Sequence, residues 1–111
     1  MADIRTMNKP VVALGSDLMR SLLELPKKAQ KHATTFLTKF QVNPRSSGIN
    51  LERIANAADE KLYSARIDQR YRAIIAFQKG SNVYVLLYVG DHDDAYKWAE
   101  TKRISVNPNT R

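Results

Sequence analysis

Two periods alternate along this chain, one helical and one extended, and between them they lay out most of its elements. Pro10 to Leu14 is short, apolar and β-branched, which predicts a first strand. Gly15-Ser16 supplies a turn and a helix N-cap, with Asp17 in the first turn, where the helix dipole favours an acid. Leu18, Met19, Leu22, Leu23 and Leu25 then recur at helical spacing. Pro26 interrupts that pattern and fits best as the first residue of a second helix, where its missing N–H costs nothing. The second helix has the clearest period in the chain. Ala29, Ala33, Phe36, Leu37 and Phe40 form one apolar stripe, while Lys27, Lys28, Lys31 and Lys39 lie largely off it. Asn43-Pro44 and the Ser-Ser-Gly turn at Gly48 close it. His32, alone among these lysines, reads as solvent-exposed and structural.

The second half changes to period two. Residues 49 to 60 stay open between readings: Ile49, Leu51 and Ile54 fit a short strand or a helical turn, and Asn56 to Asp59 reads as loop. Leu62 to Ile67 alternates, with Tyr63, Ala65 and Ile67 on one face and Leu62, Ser64 and Arg66 on the other. Asp68-Gln69 is a tight connection. Tyr71, Ala73, Ile75 and Phe77 then share a face opposite Arg72, Ile74 and Ala76. Lys79 to Asn82 is a hairpin turn, and Val83 to Val89, apolar on both faces, predicts an interior strand. Asp93 to Lys102 is helical. The sum is a strand, two helices, a three-stranded antiparallel meander and a last helix, an α+β domain. Residues 1–9 are expected to be a flexible leader, 10–102 the domain, and 103–111 a tail or linker to a following domain.

Composition sharpens this only at a few points. A length of 111 residues suits one core, and 43% hydrophobic with 26% charged residues is ordinary for a globular chain. No apolar run approaches the ~20 residues of a membrane span, so a cytoplasmic protein is expected. Without cysteine there is no disulfide or thiolate metal site. The net charge of +7 biases the partners towards nucleic acid or another polyanion. Lys27, Lys28 and Lys31, with Arg70, are the candidate nucleic-acid-binding residues.

Two constellations could carry chemistry. Arg66 and Arg72 fall on adjacent strands and one face, so their side chains can meet. Paired guanidiniums favour a phosphate between them; alternatively they pair with Glu52, Asp59 or Glu60, or lie in solvent. The second constellation is Asp91-His92-Asp93-Asp94 before a helix. It could be a metal site, or a cap in which Asp91 or Asp93 holds the helix N-terminus. Capping leaves His92 free as a general acid or base, because imidazole titrates near neutrality. Tyr96, four residues on, projects from the same side of the first helical turn. Trp98, with Ala95 and Ala99, reads as core. No P-loop, GxGxxG or Ser-His-Asp order is present. No metal or cofactor is expected.

Leu25-Pro26-Lys27-Lys28, Asn43-Pro44, Gly48, Lys61 to Arg66 with Tyr71 to Ile74, and Val89 to Tyr96 together resemble the RelE/ParE toxin superfamily, across roughly residues 11 to 100. The resemblance implies a RelE-like fold: a small antiparallel sheet with two N-terminal helices packed on it and a short C-terminal helix. It implies metal-independent cleavage of mRNA on the ribosome, with an antitoxin as partner. Arg72 falls at the family's strand Arg and Arg66 at a basic position on the preceding strand; His92 and Tyr96 fall at the C-terminal basic and aromatic positions. Classical RelE-like sites are rich in Lys and Arg near their C-terminus, whereas this segment carries three Asp, which oppose an RNA backbone unless directed away from it. Asp91 to Ala99 with Arg103, Ile104 and Val106 to Thr110 also resembles the toxin-like N-terminal domain of certain UvrD-like (superfamily 1) DNA helicases. That second resemblance implies a domain that only binds nucleic acid, RNA or DNA, or protein, ahead of a fused helicase.

Overall fold

A computed structural model describes residues 10–101; the expected leader over 1–9, Lys102 and the expected tail over 103–111 lie outside the described residues. The elements run β1 (Val11–Leu14), α1 (Leu18–Leu23), α2 (Lys27–Val42), β2 (Glu52–Arg53), β3 (Leu62–Arg66), β4 (Tyr71–Phe77), β5 (Val83–Asp91) and α3 (His92–Thr101). The periods read from the sequence account for most of them. Asp17, not Ser16, is the N-cap of α1, and Pro26 caps α2 rather than opening it.

One five-stranded sheet takes the order β1-β5-β4-β3-β2. The expected meander β3-β4-β5 is its centre. The open segment 49 to 60 contributes β2, antiparallel to β3, and β1 adds an edge strand parallel to β5. The sheet is therefore mixed, with a single parallel pair at one edge.

Both faces are covered, and the strand alternation decides what each face meets. Ala65, Ala73 and Ile75 join Tyr84, Leu86 and Val89 under Leu18, Leu25, Ala29, Ala33, Phe36 and Phe40 of the N-terminal half. Leu62, Ile74 and Ala76 pack on the opposite face against Ala95 and Ala99 of α3, with Ile54 at their edge. Trp98 is half-buried, stacked on Tyr88 with ring centroids 5.1 Å apart. No described helix is long and apolar enough to cross a membrane.

β5 serves both layers through a bulge. Ile74 pairs with Tyr88 and Ile75 with Leu86, so Leu87 is an extra residue and the side-chain alternation slips by one. Tyr84, Leu86 and Val89 consequently face α1 and α2, while Val85, Leu87 and Tyr88 face α3. β1 ends opposite Leu86, and beyond it the Val89 N–H donates to the buried Ser21 Oγ of α1 at 3.1 Å. Ser21 in turn donates to the Leu18 carbonyl at 2.8 Å. This bond ties α1 to the strand that delivers the C-terminal helix.

Candidate active site

The register sets Arg66 of β3 directly across from Arg72 of β4, and Arg72 across from Gly90 of β5. Gly90 leaves room there: a methyl would come within 2.8 Å of the Tyr88 ring. The Arg72 guanidinium is held by the turn between β3 and β4, its Nη1 donating to the carbonyls of Asp68, Gln69 and Tyr71 at 2.8, 3.3 and 3.0 Å. Arg66 is exposed and pairs with no carboxylate among the described residues. Of the three acids considered for the pair, Glu60 is used by Arg53 and Asp59 by Lys61, while Glu52 lines the same groove as both arginines.

Helix α3 begins at His92, one residue earlier than expected. Asp91 caps it, its Oδ1 accepting the Asp94 N–H at 2.8 Å. The His92 N–H donates to the Arg70 carbonyl at 2.8 Å, which pins the helix start to the β3–β4 turn. His92 and Tyr96 meet as the i, i+4 spacing requires, edge to face with centroids 4.5 Å apart. The Tyr96 hydroxyl shares a 3.0 Å hydrogen bond with the Ser64 hydroxyl. Asp93 lies 3.3 Å from His92 Nδ1, its side chain 98% exposed. Among the described residues no three His, Asp or Glu side chains gather as a metal site would require.

Arg66, Arg72, His92 and Tyr96 line one groove of about 620 Å³, together with Glu52, Ser64, Ile67 and the segment 48 to 50. The sequence placed the first four there by residue type. It offered Glu52 only as one of three ion-pair partners for the arginines, and it did not single out Asn50 or Ser64. Glu52 stands on a two-residue edge strand, too short to show any period, and only its charge marked it. None of Asp91, Asp93 and Asp94 lines the groove; Asp91 caps the helix, and Asp93 touches the groove only through His92, at 3.3 Å. Glu52 is the groove's carboxylate.

The candidate nucleic-acid-binding residues divide. Lys28 and Arg70 line a hollow of about 550 Å³ with His32, Asp68 and Tyr71. Lys27 and Lys31 are exposed on α2 and are not among the residues lining that hollow. His32 is exposed as expected, but it also has a partner, Asp68 Oδ2, at 2.7 Å.

Asp68 organises the turn that holds Arg72. Burial acts to raise its pKa, but the His32 hydrogen bond and the backbone N–H groups of Tyr71 and Arg70 outweigh it and leave the carboxyl below its ordinary 3.8. A carboxyl with a depressed folded-state pKa stabilises the fold fully above the unfolded value, and that stability is lost as pH falls through the folded one. Asp68→Asn keeps the backbone acceptor and removes the charge. The wild type is thus expected to exceed Asp68→Asn in urea midpoint at neutral pH, with the gap closing below pH 3.8.

No protein-family model matches this chain, and no curated protein matches it. Its fold matches solved structures of RelE toxins. The archaeal RelE–RelB complex from Pyrococcus horikoshii aligns with a TM-score of 0.54 and 20% identity, over 75% of this chain and 94% of that one. The RelB–RelE antitoxin–toxin complex from Methanococcus jannaschii gives 0.58 and 13%, over 78% and 96%. A mutant of E. coli toxin RelE in the free state gives 0.57 and 14%, over 87% and 99%. The chain has the RelE-like toxin fold.

Proposed function

We propose that this domain is a RelE-type toxin acting on RNA, cutting the phosphodiester by attack of the adjacent 2′-hydroxyl. The observation that carries the reading is the convergence of Glu52, Arg66, Arg72, His92 and Tyr96, from β2, β3, β4 and α3, on one groove. The reaction needs a base at the 2′-hydroxyl, an acid at the leaving 5′-oxygen and cations around the pentacoordinate phosphorus. Glu52 takes the 2′-hydroxyl proton as the new O–P bond forms. His92, protonated, gives its proton to the 5′-oxygen as the old P–O bond breaks. Arg66 and Arg72 neutralise the phosphoryl oxygens. Tyr96, fixed between His92 and Ser64, offers its ring to a base. The products are a 2′,3′-cyclic phosphate and a 5′-hydroxyl, and every step uses the groove's own groups.

The Pyrococcus and Methanococcus neighbours were solved with RelB. By that likeness a protein antitoxin is the partner this reading implies, in a cytoplasmic setting with mRNA on the ribosome as substrate. Cleavage of RNA with and without ribosomes tests it. His92→Ala and Glu52→Gln are each expected to slow the reaction by about 10²- to 10⁴-fold. Unchanged cleavage and growth inhibition in His92→Ala and Arg72→Ala sinks the assignment.

The second reading is a non-catalytic RNA-, DNA- or protein-binding domain, as at the head of a UvrD-like helicase. The three carbonyl bonds of Arg72 favour it, since they give that arginine a structural role without chemistry. Retained RNA binding with no cleavage under any condition selects it.

A further inference from the structure

We infer that the groove continues past Arg66 into a second subsite, on the α2 side, that takes a nucleotide flanking the reactive phosphodiester of a single-stranded RNA. The inference deepens the proposed function and rests on it for which phosphate is the reactive one. A hollow of about 320 Å³ adjoins the catalytic groove along Gly48, Ile49, Arg66 and Ile67. Its far wall is His32, Thr35, Phe36 and Lys39 of α2. These four stand at i, i+3, i+4 and i+7, so a single face of the helix is turned to the hollow.

The chemistry of that face matches a nucleotide. Lys39 is exposed and no carboxylate pairs with it among the described residues, so its ammonium is available to a phosphate. The His32 ring is 45% exposed and its orientation is fixed by Asp68 at 2.7 Å, which makes it a preorganised platform for a base. Buried Phe36 and Ile49 give an apolar floor. The hollow's carboxylate, Asp68, already accepts the N–H groups of Arg70 and Tyr71 and is bonded to His32, so both its oxygens are engaged within the protein. Arg66 lines both hollows and can bridge successive phosphates. Beyond the His32–Asp68 pair, Lys28 and Arg70 continue the line of cations. Cations alternating with aromatic and apolar surface are what a single strand requires, and a mainly apolar protein partner does not.

Fluorescence anisotropy with 2′-deoxy dinucleotides and tetranucleotides, which lack the attacking hydroxyl, measures binding apart from cleavage. In the wild type the tetranucleotide is expected to bind about tenfold tighter than the dinucleotide, the scale of one added stack and phosphate contact. In Lys39→Ala that length gain falls to about twofold or less, and the salt slope for the tetranucleotide drops by about 0.7. His32→Ala likewise reduces the gain, whereas His32→Phe, which keeps a ring but loses the Asp68 bond, retains more of it than His32→Ala. A length gain that persists in Lys39→Ala, or is absent from the wild type, overturns the subsite. Cleavage of the matching ribose tetranucleotide by the wild type is scored separately: its failure removes the nuclease reading while a Lys39-dependent length gain still stands.

Discussion

Arg72→Ala is expected to lower RNA cleavage by about 10²- to 10³-fold, the scale for removing one preorganised donor at a developing oxyanion. The same change loosens the turn beside the groove. One nitrogen of Arg72 donates to three carbonyls, so truncation leaves those acceptors to water and costs about 1–2 kcal/mol of stability. The two losses separate by substitution. Arg72→Lys keeps a positive charge and several donors on one nitrogen but not the planar fork, so it is expected to recover the turn more than it recovers bidentate phosphate binding. Single-turnover cleavage, with urea unfolding of the same preparations, reads both. A cleavage rate within about threefold of wild type, alongside the stability loss, assigns Arg72 to architecture alone. Arg66 supplies the contrast: it is exposed and holds no turn, so Arg66→Ala is expected to act on cleavage with little effect on unfolding.

What the chain disclosed in advance follows from which interactions are local. The α2 stripe, the β3 and β4 alternation and the His92–Tyr96 spacing each depend on residues within a few positions of one another. A short turn joining two alternating strands was enough to set Arg66 across from Arg72. Other features depend on pairing across the chain, which periodicity does not encode. β1 finds β5 in parallel, and Ser21 of α1 reaches the Val89 N–H, because β5 lies between the two halves of the fold. The bulge at Leu87 was hidden by its own strand, since a run that is apolar on both faces does not show where the faces exchange. The place of Glu52, which the sequence offered only as one of three partners for the arginines, was hidden for the opposite reason. A pairing of two residues has no pattern, and only the register against Ser64 turns its side chain into the groove. His32 looked like one more polar position on a lysine-rich helix until the β3–β4 turn brought Asp68 against it.

The largest stability effect is expected at Phe40. Its side chain is 0% exposed, stacked on Phe36 at 5.6 Å and edge-on to Tyr84 at 5.9 Å. Tyr84 in turn stacks on Phe77 at 4.5 Å and accepts the Arg45 Nε–H at 3.0 Å, so the ring of Phe40 supports an aromatic chain that joins α2 to β5 and β4. Phe40→Ala removes that support and leaves a cavity, at a cost of about 3–5 kcal/mol. Against a total stability of roughly 5–15 kcal/mol that is a large share, so a marked fall in urea midpoint is expected. Phe40→Leu keeps most of the volume and is expected to cost less than half as much. The consequence reaches the candidate RNA path, because His32, Thr35 and Lys39 are carried by the same helix. Phe40→Ala is therefore expected to lose the tetranucleotide length gain with its stability, while Lys39→Ala loses the length gain with an unfolding midpoint close to wild type. Both variants losing stability alike would mean that Lys39 is part of the packing of α2 and not a ligand on its surface.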